Sequence, residues 1–177
     1  MRIIGGKFRS RKIIFPGSID VRPTKDRVRE AIFNALKDDV ENRNVLDLFA
    51  GSGAYGLEAI SRGSNFATFV DINPISIKVI KTNIKTFGLE PQCKVENEDY
   101  QVFLMKNKEI YSLVFLDPPY KSDIYSEVIR KLLEANMISK DAIIICEAEH
   151  SHDFSCFQEF KVKEYRYGEN YVYILRR

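Results

Sequence analysis

From Asn44 to Cys146, apolar runs of strand length alternate with segments of helical period, and this alternation restricts the fold more than any other feature of the chain. Val45 to Phe49, Phe66 to Val70, a short run near Cys93 to Val95, Tyr111 to Leu116 and Ala142 to Cys146 read as strands. Helical patterns fall between them. They run from Tyr55 to Arg62, stopped by Gly63, from Pro74 to Gly88, from about Tyr100 to Lys106 and from about Asp123 to Ala135. Alternating β and α predicts an α/β architecture, a doubly wound and mostly parallel sheet with helices on both faces. Phe160 to Tyr165 and Tyr171 to Leu175 have no helical pattern between them, so a C-terminal antiparallel hairpin is expected to complete seven strands. The tyrosines of that hairpin alternate with polar residues, which suits a half-buried ribbon. At 177 residues, with no repeat or low-complexity tract, one domain over 1–177 is the expectation.

Open α/β sheets bind ligands beyond the carboxyl ends of their strands. There the run Leu113 to Leu116 stops abruptly at Asp117-Pro118-Pro119-Tyr120. Proline fixes φ and cannot donate a ladder hydrogen bond, so the strand must end. The turn offers a carboxylate, backbone carbonyls and an aromatic ring, which suits a planar base with an exocyclic amine. Taken alone, the same four residues are also a strand-ending turn with a surface tyrosine.

Two further strand ends narrow the ligand. Asp47-Leu48-Phe49-Ala50-Gly51-Ser52-Gly53-Ala54-Tyr55-Gly56 contains a G-x-G-x-x-G loop, and Asp71 follows about twenty residues later, where an acid can take both ribose hydroxyls. A nicotinamide or flavin enzyme fits that much. Asp47 argues against it, since a carboxylate before the glycine turn repels a pyrophosphate and attracts a sulfonium. S-adenosylmethionine has ribose, adenine and cationic groups but no phosphate. Asp99, after the third strand, is placed to accept from the adenine amine. Each acid has a plainer role open to it: Asp47 as a satisfied buried group, Asp71 and Asp99 as helix N-caps. All three nevertheless follow successive strands and converge on the edge that holds Asp117.

Charge is unevenly spread. Residues 1–30 hold nine basic and three acidic residues, in a chain whose net charge is only +2. Arg2 to Phe15 alternate basic and apolar side chains around Lys7-Phe8-Arg9-Ser10, which predicts a basic β-hairpin arm within 1–20, ended by Pro16-Gly17. Thr24 is placed to cap a leading helix within 21–40, with Val28, Ala31, Ile32, Ala35 and Leu36 on its apolar face and Lys25, Arg27 and Arg29 on its polar one. A basic head on a mildly acidic body suggests a polyanion partner, the alternative being a solvated surface segment. No apolar stretch approaches the ~20 residues of a membrane span, and Met1 to Lys7 lacks a signal-peptide core. Cys93, Cys146 and Cys156 show no paired spacing, so no disulfide framework or zinc site is expected, and a reducing cytoplasm is. His150-Ser151-His152 lacks an acid or cysteine cluster, so solvated loop histidines and no metal are expected.

The chain resembles class I S-adenosylmethionine-dependent methyltransferases, and more narrowly the RsmD family of 16S ribosomal RNA guanine-N2 methyltransferases. The most specific stretches are Met1-Arg2-Ile3-Ile4-Gly5-Gly6-Lys7-Phe8-Arg9 and Arg22-Pro23-Thr24-Lys25-Asp26-Arg27-Val28-Arg29-Glu30-Ala31-Ile32-Phe33-Asn34, neither of which belongs to the generic fold. Asp47 to Gly53 matches the family's cofactor loop and Phe69-Val70-Asp71 its ribose-binding strand end. Asp71 stands where many members have Glu, and Ser10 where glycine is commoner. The resemblance implies a Rossmann-like methyltransferase fold and S-adenosylmethionine bound by Asp47, Phe49, Gly51, Ser52, Gly53, Asp71, Ile72, Asn73, Asp99 and Tyr100. It implies catalysis at Asp117, Pro118, Pro119 and Tyr120. It also implies contacts to 16S ribosomal RNA from Arg2, Lys7, Arg9, Arg11, Lys12, Arg22, Thr24 and Arg27, on the small subunit or an assembly intermediate.

On this basis the target guanine should stack on Tyr120, with Asp117 and the Pro118 carbonyl holding its amine, so that catalysis is mainly positioning. An adenine-N6 methyltransferase is the nearest rival, because Asp-Pro-Pro-Tyr serves both amines. A non-catalytic RNA-binding assembly factor is the rival from another class.

Overall fold

A computed structural model describes residues 1–15, 23–119 and 124–177, with backbone alone at 23–25. Seven strands form one sheet in the order β3-β2-β1-β4-β5-β7-β6. They are β1 (Asn44–Leu48), β2 (Phe66–Val70), β3 (Cys93–Glu96), β4 (Tyr111–Leu116), β5 (Ile138–Ala148), β6 (Lys161–Tyr167) and β7 (Asn170–Arg176). The first five run parallel, while β7 is antiparallel to both β5 and β6. This is the class I methyltransferase architecture, with the C-terminal hairpin expected from the sequence.

The apolar run of β4 is what a parallel strand covered on both faces requires. Alternation sends Leu113 and Phe115 into one layer, with Val28 and Ile32 of α1 (Pro23–Leu36), Leu57 of α2 (Ala54–Ser61) and Ile80 of α3 (Pro74–Phe87). Val114 and Leu116 enter the other, with Phe103 of α4 (Tyr100–Lys106) and Val128, Ile129 and Leu132 of α5 (Tyr125–Glu134). Truncating Phe115 would therefore open a cavity costing about 3–5 kcal/mol.

Local signals end the elements where physics demands. Asn73 caps α3 by accepting from the Ile75 N–H at 2.9 Å, Pro74 takes the first helical position, and Gly88 closes the helix at φ 66°. Several boundaries differ from expectation. β1 stops at Leu48, because Phe49 turns into the left-handed region at φ 78°. The fifth strand is longer than Ala142 to Cys146, since the pairing of β4 with β5 begins at Tyr111 and Ile138 and resumes after an irregularity at Leu113. α1 starts at Pro23, so Thr24 lies in the first turn and is not the residue before it. Pro16, Gly17, Arg22, Tyr120 and Asp123 lie outside the described residues.

The basic N-terminal segment folds back on itself through an antiparallel Arg2–Lys12 bridge, with a short turn at Gly6–Phe8. It is docked, not free-standing. Ile3 and Ile13 are buried in the core. Glu58 of α2, fully buried, accepts from the N–H groups of Ile4 and Gly5 at 2.7 and 2.8 Å and from Arg62 Nε at 2.8 Å. Gly6 sits so close to α2 that a Cβ there would come within 1.9 Å of the Ser61 carbonyl oxygen. Among the described residues no helix is long and apolar enough to cross a membrane.

Candidate active site

β1 and β4 are neighbours at the point where strand order reverses, and a cavity of about 770 Å³ opens beyond their carboxyl ends. That volume lies within the usual range of small-ligand sites. The glycine loop forms one wall. Gly56 packs against the sheet, where a Cβ would lie 2.3 Å from the Phe69 ring, so that position must be glycine. Asp71 fixes both arms of the turn: its Oδ2 accepts from Gly51 N–H and its Oδ1 from Asn73 N–H, each at 2.8 Å. Asp99 caps α4 by accepting from Gln101 N–H at 2.8 Å and also lines the cavity. Both acids thus perform local capping work and face the ligand space.

Of the expected cofactor set, Phe49, Gly51, Ser52, Asp71, Ile72, Asn73, Asp99 and Tyr100 line this cavity. The Phe49 and Tyr100 rings meet with centroids 5.3 Å apart. Asp47 and Gly53 lie behind the wall. Asp47 is buried and accepts the Gly56 N–H at 2.9 Å, so it anchors the start of α2 and does not face a ligand. Burial pushes its carboxyl up to about 8. The Gly56 hydrogen bond opposes the rise, and the Asp117 and Asp71 charges add to it.

Asp117 and Pro119 line the same cavity, and Pro118 is buried beside them. Tyr120 lies outside the described residues. The wall carries Asp71, Asp99, Asp117 and Glu147, with Arg29 its one basic side chain among the described residues. Such a set of acceptors opposes a pyrophosphate and fits a sulfonium nucleoside. Arg29 is occupied at Nη2, which donates to the Arg2 carbonyl at 2.6 Å and to Asp26 at 3.1 Å, while its buried Nε has no hydrogen-bond partner among the described residues.

Tyr55, Glu147 and the two ends of the N-terminal segment join the site beyond the residues expected from the sequence. Met1 and Phe15 line the cavity, so the basic segment borders it directly. Tyr55 stacks on Phe115 at 5.0 Å and donates its hydroxyl to Glu147. Glu147 was recoverable, since it ends the apolar run of β5 as Asp117 ends that of β4.

Of the expected RNA contacts, Arg2, Lys7, Arg9, Lys12 and Arg27 are exposed. Arg11 is also exposed, yet its guanidinium donates to the Thr86 carbonyl at 2.8 Å and lies 4.5 Å from the Phe87 ring centroid, which commits it to α3. Arg22 and the Thr24 side chain lie outside the description. His152 is not a solvated loop histidine. It is half-buried against Tyr125, 4.8 Å between centroids, with Phe154 and Tyr173 nearby. Among the described residues no group of three or more His, Cys, Asp or Glu side chains is arranged to hold a metal.

The family model for conserved hypothetical protein 95 matches residues 1–176. Ribosomal RNA small subunit methyltransferase D of Escherichia coli (strain K12) is 39% identical over 150 residues, covering 84% of this chain and 75% of that protein. The Haemophilus influenzae protein of the same name is 36% identical over 152 residues, covering 84% and 79%. The solved structure of yhhF from Escherichia coli gives a TM-score of 0.90 at 32% identity, covering 100% of this chain and 97% of the other. SMU.776, solved complexed with SAH, shares the fold with a TM-score of 0.70 at 16% identity, covering 89% and 50%.

Proposed function

The chain belongs to the conserved hypothetical protein 95 family, that of the small-subunit ribosomal RNA methyltransferases D, and from this we propose that it methylates the N2 amine of one guanine in 16S ribosomal RNA, with S-adenosylmethionine as methyl donor. The observation that carries the proposal is the meeting of Asp71, Asp99, Asp117 and Pro119 in one acidic cavity bordered by the basic N-terminal segment.

S-adenosylmethionine supplies an electrophilic methyl group on a sulfonium. Asp71 would take the ribose and Asp99 the adenine amine, with the Phe49 and Tyr100 rings, in contact with each other, supplying an apolar wall. Asp117 and the Pro118 carbonyl accept from the guanine amine and hold its nitrogen in line. The amine nitrogen becomes cationic as it is alkylated, so the same acceptors stabilise developing charge, and its proton leaves to Asp117 or to water. Exposed Lys7, Arg9 and Lys12 grip RNA phosphates, on the small subunit or an assembly intermediate.

Mass mapping of ribosomal RNA nucleosides from cells with and without the gene tests this. One N2-methylguanosine should vanish on deletion and return with the wild-type gene. It should not return with Asp117→Ala, whose purified protein should still bind S-adenosylhomocysteine in calorimetry. Unchanged ribosomal RNA, or a change confined to N6-methyladenosine, would overturn the assignment.

A further inference from the structure

Asp117 alone cannot choose a base, because adenine and guanine both carry an exocyclic amine. They differ at the adjacent ring nitrogen. N1 of guanine bears a hydrogen beside the N2 amine, whereas N1 of adenine bears a lone pair beside the N6 amine. An acceptor-only group facing that position pairs with guanine and repels adenine.

The fold puts such a group next to Asp117. β4 and β5 are parallel and pair Leu116 with Cys146, so the following residues are neighbours: Asp117 lies just past the end of β4, Glu147 is still within β5 opposite Val172 of β7, and both line the cavity. Glu147 is only 7% exposed. Its Oε2 accepts from the Tyr55 hydroxyl, its Oε1 from Asn170 Nδ2 at 3.2 Å, and its backbone carbonyl from the Tyr125 hydroxyl at 2.6 Å. Tyr55 is itself immobilised between the Phe115 ring, centroids 5.0 Å apart, and Phe33 at 6.4 Å. Burial, then the Glu147 charge, raises the Tyr55 hydroxyl well above its ordinary range, so it stays a donor. A carboxylate kept this far from water is costly, and Tyr55 and Asn170 hold it in place in the cavity wall. Each of its oxygens can accept more than one hydrogen bond.

We propose that Glu147, oriented by Tyr55, selects guanine over adenine by accepting the N1–H beside the amine that Asp117 holds. This rests on the base-amine methylation proposed above. Glu147 is a specificity residue in this scheme, and the amine still reacts at Asp117.

The probe is 2-aminopurine, which keeps the guanine C2 amine but carries a lone pair at N1. Small-subunit particles are reconstituted with guanine or 2-aminopurine at the position the wild-type protein methylates, and kcat/KM is measured for each. Wild type should strongly prefer guanine. Glu147→Gln is isosteric, and its amide can turn a donor toward N1. It should lower guanine turnover roughly ten- to a hundredfold, the range of a lost charge-assisted hydrogen bond, and shrink the guanine preference at least tenfold. Tyr55→Phe keeps the ring and removes the orienting donor, so it should shrink the preference by a smaller factor. A merely structural role would depress both substrates alike. A preference unmoved in both variants, while each binds S-adenosylhomocysteine normally, overturns the proposal and leaves the methylation reading intact. A wild-type protein that methylates no guanine overturns both.

Discussion

Asp47 is a carboxyl group enclosed by the structure it holds together. Its hydrogen bond to the Gly56 N–H seats α2, yet burial raises its pKa from 3.8 to about 8. Between those values the folded protein keeps a proton that the unfolded chain has lost. Stability must then fall as pH rises through this window, by about 1.36 kcal/mol per pH unit for one proton, and level off above about pH 8. Asp47→Asn removes the titration while its amide oxygen can still accept from Gly56. Urea unfolding at several pH values should show the variant gaining on wild type from about pH 4 to pH 8. A difference independent of pH would mean that the carboxyl is ionised in the folded state. The sequence marks Asp47 as a site residue for a different reason, attraction to a sulfonium. Its neighbours along the chain do not reveal that the side chain turns under the loop, away from the ligand.

Among the elements, the basic N-terminal hairpin is tied to the glycine loop. Asn83 of α3 donates to the carbonyls of Ile14, at 3.0 Å, and Ser52, at 3.1 Å, and accepts from Ile14 N–H at 2.9 Å, so hairpin and glycine loop share one buried side chain. Ser10 weakens this element. It is exposed and held at φ 70°, where a Cβ costs about 1–2 kcal/mol. Ser10→Gly relieves that strain but loosens the unfolded chain, so a net gain of about 0.5–1 kcal/mol is expected. It should read as a higher urea midpoint with unchanged slope, and a midpoint at or below wild type would refute it. Elements whose signals are local were legible in the sequence: Pro74 and Gly88 bound α3, and the apolar β4 run ends at Asp117. The docking of the hairpin was not. It depends on Glu58 gripping the Ile4 and Gly5 amides more than fifty residues away, and a lone acid inside an apolar helix looks unremarkable in sequence. Glu147 does carry a local signal, the end of the apolar β5 run, but Glu149 and the histidines after it make that end resemble an ordinary polar loop.

Across the whole molecule, charge is sorted around one opening. The cavity wall is acidic, which suits a sulfonium and an amine, while Met1 and Phe15 bring the basic hairpin to its rim. Under the proposed function a polyanion would be drawn to the basic rim and repelled by the acidic wall, so phosphate binding and base chemistry would occupy different parts of one opening. If Lys7, Arg9 and Lys12 each neutralise an RNA phosphate, each contributes about 0.7 to the slope of log affinity against log salt, the single-strand value. Replacing all three by alanine should make that slope shallower by about 2 and weaken binding most at low salt. Arg11 is left out of the set because Thr86 and Phe87 already hold its guanidinium. Calorimetric affinity for S-adenosylhomocysteine should not move, because none of the three residues lines the cavity. Titrating small-subunit RNA with wild type and the triple variant across a range of salt concentrations decides the matter: parallel lines would remove the hairpin from the RNA contact surface, and converging lines would assign it the phosphates.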